Sequence, residues 1–189
     1  MEEIVFYESW LPLDKKHFRI LAMLADKGNF QGSLAQMCRN LSMASGQTKT
    51  NNSLKESIEY LTSNGFIACE HKGNTYTLKV IPKGNEVKIS RQWAEDVLYV
   101  RGLAEGNVSW EVTLKVLLWV YSRNAMEMTT NFEISTGINA SESSIIDAKN
   151  ILRDKFGSIW QEIDKYKNGK GEIRNRGQFL GGVAPWSRD

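Results

Sequence analysis

The sequence predicts an α+β protein that is mainly α-helical and carries small β-hairpins. Three observations support this fold class. Apolar residues recur at helical spacing in short segments, which indicates helices that bury one face. At two places in the chain, a pair of β-rich runs flanks a turn containing Gly, which indicates two hairpins. The same order of three helices and one hairpin occurs twice within the 189 residues, and this repetition predicts two similar domains.

The first hairpin and the helix before it lie in residues 53–80. Ser53 and Glu56 have the spacing of a capping box, which predicts that the helix starts at Ser53. Gly65 fits a left-handed cap at the helix end, and two β-rich runs then flank a turn at residues 72–74. The apolar face of this helix is formed by Leu54, Ile58 and Leu61.

Two more helices are predicted before this stretch. The first spans residues 15–26, and the second begins at a capping box formed by Ser33 and Gln36. Three helices followed directly by a hairpin is the order of a winged helix-turn-helix domain, with the third helix as the recognition helix and the hairpin as the wing. We therefore predict such a domain over residues 1–82, with the apolar segment 4–13 packed over it as a short strand or arm.

Residues 83–108 are predicted to form a helical linker. Its helix is expected to be capped by Ser90 and to end at Gly106. Its apolar residues fall near helical spacing, so they should bury against a domain or against the same helix of a second subunit. These residues are Trp93, Val97, Val100 and Ala104.

The pattern of elements then repeats over residues 109–189, which predicts a second winged helix with a C-terminal tail. Its short second helix is expected at residues 129–135, followed by Gly137 in a turn. Ser141 is expected to cap the third helix, and Asn168-Gly169 is a strong hairpin signal. The apolar residues of the two third helices align at one offset of 91 residues, Leu54 with Ile145 and Leu61 with Leu152.

Composition excludes several classes of function. Cys38 and Cys69 are too few for a disulfide framework or a zinc site, so no metal or other cofactor is expected. His17 and His71 have no neighbouring nucleophile or acid at a useful spacing, which argues against an enzyme. No signal peptide or long apolar run is present, so a soluble cytoplasmic protein without membrane contact is expected. The net charge of +2 requires any nucleic-acid contact to come from local patches.

The predicted recognition helices suggest contacts with DNA. The first residues of such a helix reach base edges, and neighbouring groups hold phosphates. Short polar donors and cations occur at the start of each third helix, although Ser and Asn are equally typical of plain turns and caps. The candidates are Lys49, Thr50, Asn51, Asn52, Ser53, Lys55 and, in the first wing, Lys72; in the second domain they are Asn139, Ser141 and Ser143.

The second wing has the strongest charge signal of the chain. Residues 165–176 contain five basic side chains and only the carboxylate of Glu172, a net charge of +4. Five phosphate contacts would give a salt dependence of binding with a slope of about −4.5. The alternative is a charged hairpin tip that only aids solubility. The five basic residues are Lys165, Lys167, Lys170, Arg174 and Arg176.

The outward faces of the two recognition helices are acidic, which argues against deep insertion into a DNA groove. A carboxylate can accept a hydrogen bond from cytosine, but phosphates repel it. Either only the first turn of each helix touches DNA, or one helix faces a protein. The outward residues are Glu56, Glu59, Tyr60 and Ser63 in the first helix and Asp147, Asn150 and Asp154 in the second.

The segments FYESWLPLDKKHFRILAML, SLKESIEYLTSNGFI and TYTL resemble winged-helix proteins of bacterial plasmids and phages, in particular replication initiators. The resemblance covers residues 4–81 and is weaker over 109–176. It implies a non-enzymatic protein that binds double-stranded DNA, using both domains or a homodimer, and recruits replication or transcription machinery. The alternative is a protein–protein interaction module with little DNA affinity, as in chromosome-segregation adaptors that use paired winged helices.

Overall fold

The computed structural model describes residues 2–91, 94, 109–123, 129–156, 160–167, 170–171 and 173–179. These residues form an α+β fold, as predicted. In chain order the elements are β1 (Glu3–Tyr7), a short 3₁₀ helix (Glu8–Trp10), α1 (Lys15–Lys27), β2 (Phe30–Gly32), α2 (Leu34–Asn40), α3 (Thr48–Ser63), β3 (Ile67–Lys72), β4 (Thr75–Val80), β5 (Glu86–Ser90), α4 (Trp110–Ser122), β6 (Thr129–Thr130), α5 (Asn131–Ile138), α6 (Glu142–Phe156), β7 (Trp160–Lys167) and β8 (Ile173–Phe179).

The chain divides into two compact units. One unit comprises Leu13–Asn85, and the other comprises Met1–Pro12 together with Glu86–Asp189. We call them the central unit and the split unit. This division differs from the boundaries expected from the sequence, because the first twelve residues group with the later part of the chain.

The central unit packs α1, α2 and α3 against a three-stranded antiparallel sheet with the order β2-β4-β3. Helix α1 ends at Gly28, whose positive φ of 79° suits glycine. The capping box of α2 is present as predicted: the Ser33 amide donates to Gln36 Oε1 at 2.7 Å, and the Gln36 amide donates to Ser33 Oγ at 3.3 Å. The core of this unit includes Phe18, Leu21, Leu61 and Leu78, all buried.

The start of α3 corrects the sequence prediction. The helix begins at Thr48, with Gln47 as its N-cap, so the predicted cap at Ser53 is wrong. The side chain of Asn51 accepts a weak hydrogen bond from Cys38 of α2, with 3.9 Å between Sγ and Oδ1. The residues before Ser53 have only modest helix propensity, so we attribute the earlier start to packing of this first turn against α2. The predicted end is confirmed, because Gly65 follows the helix with a φ of 70°.

The split unit contains a two-stranded antiparallel ribbon that the sequence prediction missed. Strand β1 pairs with β5, from Glu3 opposite Ser90 to Tyr7 opposite Glu86. Residues 86–90 fall in the expected linker, ahead of the helix that Ser90 was expected to cap, and no strand was predicted for them. The two strands follow an alternation of period two, since Ile4, Phe6, Val87 and Ile89 are all buried on one face.

Helix α4 forms the centre of the split unit. Every residue from Glu111 to Val120 is buried, because the helix packs against β5, the 3₁₀ helix, α5 and α6. The ammonium of the buried Lys115 donates to the carbonyl oxygen of Ile138 at 3.2 Å, which satisfies a carbonyl at the end of α5. The indole ring of Trp119 lies over Gly137, which leaves no room for a side chain at that position.

The split unit repeats the architecture of the central unit. The order α4, β6, α5, α6, β7, β8 matches α1, β2, α2, α3, β3, β4, and the sheet order β6-β8-β7 matches β2-β4-β3. Both second helices open with a capping box, here formed by Thr130 and Glu133. The predicted repeat of elements is therefore confirmed. At the offset of 91 residues, buried Leu54, Ser57 and Leu61 correspond to buried Ile145, Ala148 and Leu152.

Two details of the second repeat differ from expectation. The second helix is Asn131–Ile138, two residues later than predicted, because Thr129–Thr130 forms a short strand paired with β8. Gly137 lies inside that helix and not in the following turn. The predicted turn at Asn168-Gly169, most of the expected linker helix and the C-terminal tail lie outside the described residues.

Candidate nucleic-acid interface

The early start of α3 places most candidate residues of the central unit on the first two turns of a helix. Lys49, Asn52 and Lys55 are exposed, whereas Thr50 and Asn51 are half-buried. Three exposed polar side chains therefore lie along the N-terminal half of α3, where a recognition helix contacts base edges and phosphates.

Ser53 does not lie at the start of a helix, where it was predicted to act as a cap. It lies within α3 and is half-buried, and its carbonyl oxygen accepts a hydrogen bond from Ser57 Oγ at 2.8 Å. It lines a cavity of about 210 Å³ between α1 and α3. Ser53 is thus a candidate contact from the side of the helix and not from its tip.

A groove of about 320 Å³ separates α3 from the β3–β4 hairpin. Lys55 lines the groove from the helix, and His71 lines it from the hairpin. The rings of His71 and Tyr76 stack with 4.2 Å between their centroids and an angle of 20° between their planes. Lys72 is exposed at the end of β3, beside the turn. His71 of the predicted wing therefore borders the same flank of α3 as Lys55, and Glu59 lines that groove as well.

The outward face of α3 is acidic, as predicted. Glu56, Glu59, Tyr60 and Ser63 are all exposed. In the described part of the chain, neither Glu56 nor Glu59 has a hydrogen-bond or ion-pair partner. Both carboxylates are therefore available to a ligand that supplies hydrogen-bond donors.

Tyr60 has a structural role in addition to its exposure. Its ring stacks on His17 of α1 with 4.1 Å between the centroids and an angle of 7° between the planes. His17 is itself buried. Burial, and then the charge of Lys16, lower the pKa of His17 below its ordinary value of 6.5, while Asp14 opposes the shift. His17 is therefore a core residue that disfavours a proton.

Replacing His17 by Phe should remove a pH dependence of stability. The unfolded chain binds a proton at His17 below about pH 6.5, whereas the folded chain resists it, so stability is full above that pH and falls below it. Phe keeps a ring for stacking on Tyr60. The free energy of unfolding, measured with urea at about pH 7.5 and about pH 5.5, should fall less between these two pH values for His17→Phe than for the wild type. Equal losses in both proteins would contradict the lowered pKa.

The start of α6 gathers the polar candidates of the second repeat. Asn139 ends α5 in the left-handed conformation, with a φ of 53°. Ser141 caps α6 as predicted, since its Oγ accepts from the Ser144 amide at 3.2 Å. Ser143 is exposed, and its Oγ lies 2.9 Å from that of Ser141. These hydroxyls are engaged with one another, so capping explains their presence without a ligand.

The β7–β8 ribbon carries the basic residues of the predicted second wing. Lys165, Lys167 and Lys170 are exposed, so this part of the ribbon is not packed beneath other described segments. Ile173, which pairs with Lys167, is 66% exposed. The ribbon therefore presents both positive charge and apolar surface.

The register of this ribbon separates its basic residues into two sets. Opposite residues of an antiparallel pair share one face, and successive residues alternate. The opposite pairs are Lys165 with Asn175, Lys167 with Ile173, Arg174 with Tyr166 and Arg176 with Asp164. The register thus assigns Lys165 and Lys167 to one face and positions 174 and 176 to the other.

Three cations that the sequence prediction missed lie on α1. Lys15, Lys16 and Arg19 line the cavity that Ser53 also lines. Consecutive lysines in the first turn of a helix are unusual, because the helix dipole favours carboxylates there. The pair Lys15-Lys16 directly after Asp14 was therefore a signal in the sequence that could have pointed to these cations.

Comparison with known proteins found no protein family, curated protein or solved structure that matches this chain. Among the described residues, none of the helices has the length and apolar character needed to cross a membrane. The same residues contain no group of three or more His, Cys, Asp or Glu side chains that could hold a metal ion.

Proposed function

We propose that this protein is a non-enzymatic, double-stranded-DNA-binding protein built from two winged helices. The observation that carries the proposal is the repeated order of three helices and three strands, with the same strand order in both sheets. In this proposal α3 and α6 are the recognition helices, and the β3–β4 and β7–β8 hairpins are the wings.

Charge supports the same assignment. Exposed Lys49 and Lys55 lie on α3, and exposed Lys72 lies at the tip of its wing. Exposed Lys165 and Lys167 lie on the second wing. In this proposal α3 and the two wings bring these cations toward a duplex. Contacts between cations and phosphates supply much of the affinity of DNA-binding proteins.

The resemblance to plasmid and phage replication initiators suggests the process that this binding serves. We propose a cytoplasmic protein that binds an origin or promoter, as a homodimer or through both winged helices, and brings replication or transcription machinery to it. The sequence recognised is then set by α3 and α6 rather than by the wings, because wings contact mainly phosphates.

The triple substitution Lys165→Ala/Lys167→Ala/Lys170→Ala should flatten the salt dependence of binding. Each lost phosphate contact lowers the slope of log K against log salt by about 0.9, so up to about 2.7 is expected here. Fluorescence anisotropy with a mixed-sequence duplex over a salt series measures the slope. The control variant Lys27→Ala/Lys83→Ala/Lys88→Ala removes three exposed lysines outside the proposed recognition helices and wings and should keep the wild-type slope. No binding of any origin or promoter fragment at low salt would overturn the proposed function.

A second candidate function is a protein–protein interaction module. The carboxylates of Glu56 and Glu59, which have no partner among the described residues, favour it. Two exposed apolar residues on α5 and α6 favour it as well, Phe132 at 54% and Ile146 at 48% exposure. Such a module would co-purify with a stoichiometric partner and would be indifferent to DNA.

A further inference from the structure

Basic side chains line a cavity on the flank of α3 that faces away from the wing. The cavity has a volume of about 210 Å³, room for on the order of seven waters. Lys15, Lys16 and Arg19 of α1 line one side, and Ser53 and Ser57 of α3 line the other. The remaining lining residues are apolar: Leu41, Met43 and Leu54.

Both flanks of α3 carry basic side chains, although the groove on the wing side is also lined by the carboxylate of Glu59. Residues 53 and 55 are about 200° apart around a helix, so they point to nearly opposite sides. Ser53 lines the cavity with the α1 lysines, whereas Lys55 lines the groove with His71 of the wing. Cations therefore border α3 on both sides, and its acidic outward face lies between them.

We propose that the α1–α3 cavity binds a backbone phosphate of the DNA strand opposite the strand held by the wing. This proposal rests on the proposed function and names a second phosphate site for it. The major groove is about 12 Å wide, with phosphates along both rims, and a helix with its side chains is about 10–12 Å across. A helix seated in that groove has one backbone on each flank.

The chemistry of the cavity fits a phosphodiester. Lys15 and Lys16 are exposed cations, and only the carboxylate of Asp14 adjoins them in sequence. In the described part of the chain the Ser53 hydroxyl has no hydrogen-bond partner, so it is free to donate to a phosphate oxygen. The apolar residues provide a surface for the C–H edge of a deoxyribose.

The test is a salt series of duplex binding by Lys15→Ala/Lys16→Ala in the full chain. Losing the contact with this one phosphate should reduce the slope by about 0.9, with a similar loss of affinity for every sequence. Ser53→Ala should weaken binding by up to about tenfold and leave the slope unchanged, because it removes a hydrogen bond and no charge. The control Lys27→Ala/Lys88→Ala removes two exposed lysines outside the proposed recognition helices and wings and should keep the wild-type slope.

The outcomes separate this site from the proposed function. If the wild type binds no duplex, the proposed function fails and this site fails with it. If the wild type binds and Lys15→Ala/Lys16→Ala keeps its slope, only the site is overturned. Inorganic phosphate, titrated at constant ionic strength and followed by NMR shifts, tests the other source of the same group. Saturable binding that the lysine variant loses, with unchanged DNA binding, would assign the cavity to a free phosphate and overturn the proposal.

Discussion

Trp10→Ala should unfold the split unit and leave the central unit folded. Trp10 is 0% exposed, and its ring contacts Phe6 edge-on at 6.1 Å and Tyr7 at 5.2 Å between centroids. Truncating a buried Trp costs about 3–5 kcal/mol, a large share of the roughly 5–15 kcal/mol that stabilises a typical domain. Amide hydrogen exchange of the full chain, read by mass spectrometry, should show lost protection in α4 and retained protection in α3.

Trp10→Phe provides the matched control. In the described part of the chain the Trp10 Nε1 has no hydrogen-bond partner, so the indole contributes packing and no polar contact. Phe keeps most of that packing and removes an unsatisfied N–H, so it should cost much less than Ala. Loss of protection in α3 with protection kept in α4 would show instead that the first twelve residues belong with the central unit, as the sequence had suggested.

Elements set by local signals could be predicted from the sequence. The capping box of Ser33 and Gln36, the helix end at Gly28 and the hairpin turn after Lys72 are each determined by a few neighbouring residues. The repeated order of elements was also visible, because helix and hairpin patterns recur at a nearly constant spacing. These features do not require knowledge of distant contacts.

Elements set by distant contacts could not be predicted. Strand β1 pairs with β5 across 79 to 87 positions of sequence. The alternation in a five-residue segment such as EVKIS is a weak signal on its own. The prediction of where α3 starts was wrong for a similar reason. Ser53 and Glu56 match a capping box, but packing of Asn51 near Cys38 extends the helix past it.

The candidate site was predicted in part. Lys49, Asn52, Lys55 and the second-wing lysines were chosen as candidates from local patterns, and they are exposed in the structure. The α1 lysines were missed, because the cavity that brings them beside Ser53 requires the packing of α1 on α3. The separation of basic residues on the second wing also needed the strand register, which a run of charges does not reveal.

Glu56→Gln/Glu59→Gln should raise the affinity for mixed-sequence duplex by about tenfold or more at low salt. Both carboxylates are exposed on the outward face of α3, where a bound duplex would hold its phosphates and base edges. Gln has nearly the same shape and helix propensity and removes only the charge. Anisotropy titrations at low and high salt measure the gain, which should shrink as salt screens the repulsion.

The control Glu3→Gln/Glu86→Gln makes the same change of net charge on the β1–β5 ribbon, outside both proposed winged helices, and should have little effect. A carboxylate in the groove accepts well only from the cytosine amino group, since guanine and thymine present acceptors and the adenine amino group lies beside one. The gain should therefore be smallest on duplexes with cytosine at the contacted positions. Unchanged DNA binding, together with weaker capture of a protein partner, would instead make the acidic face of α3 a protein-binding surface.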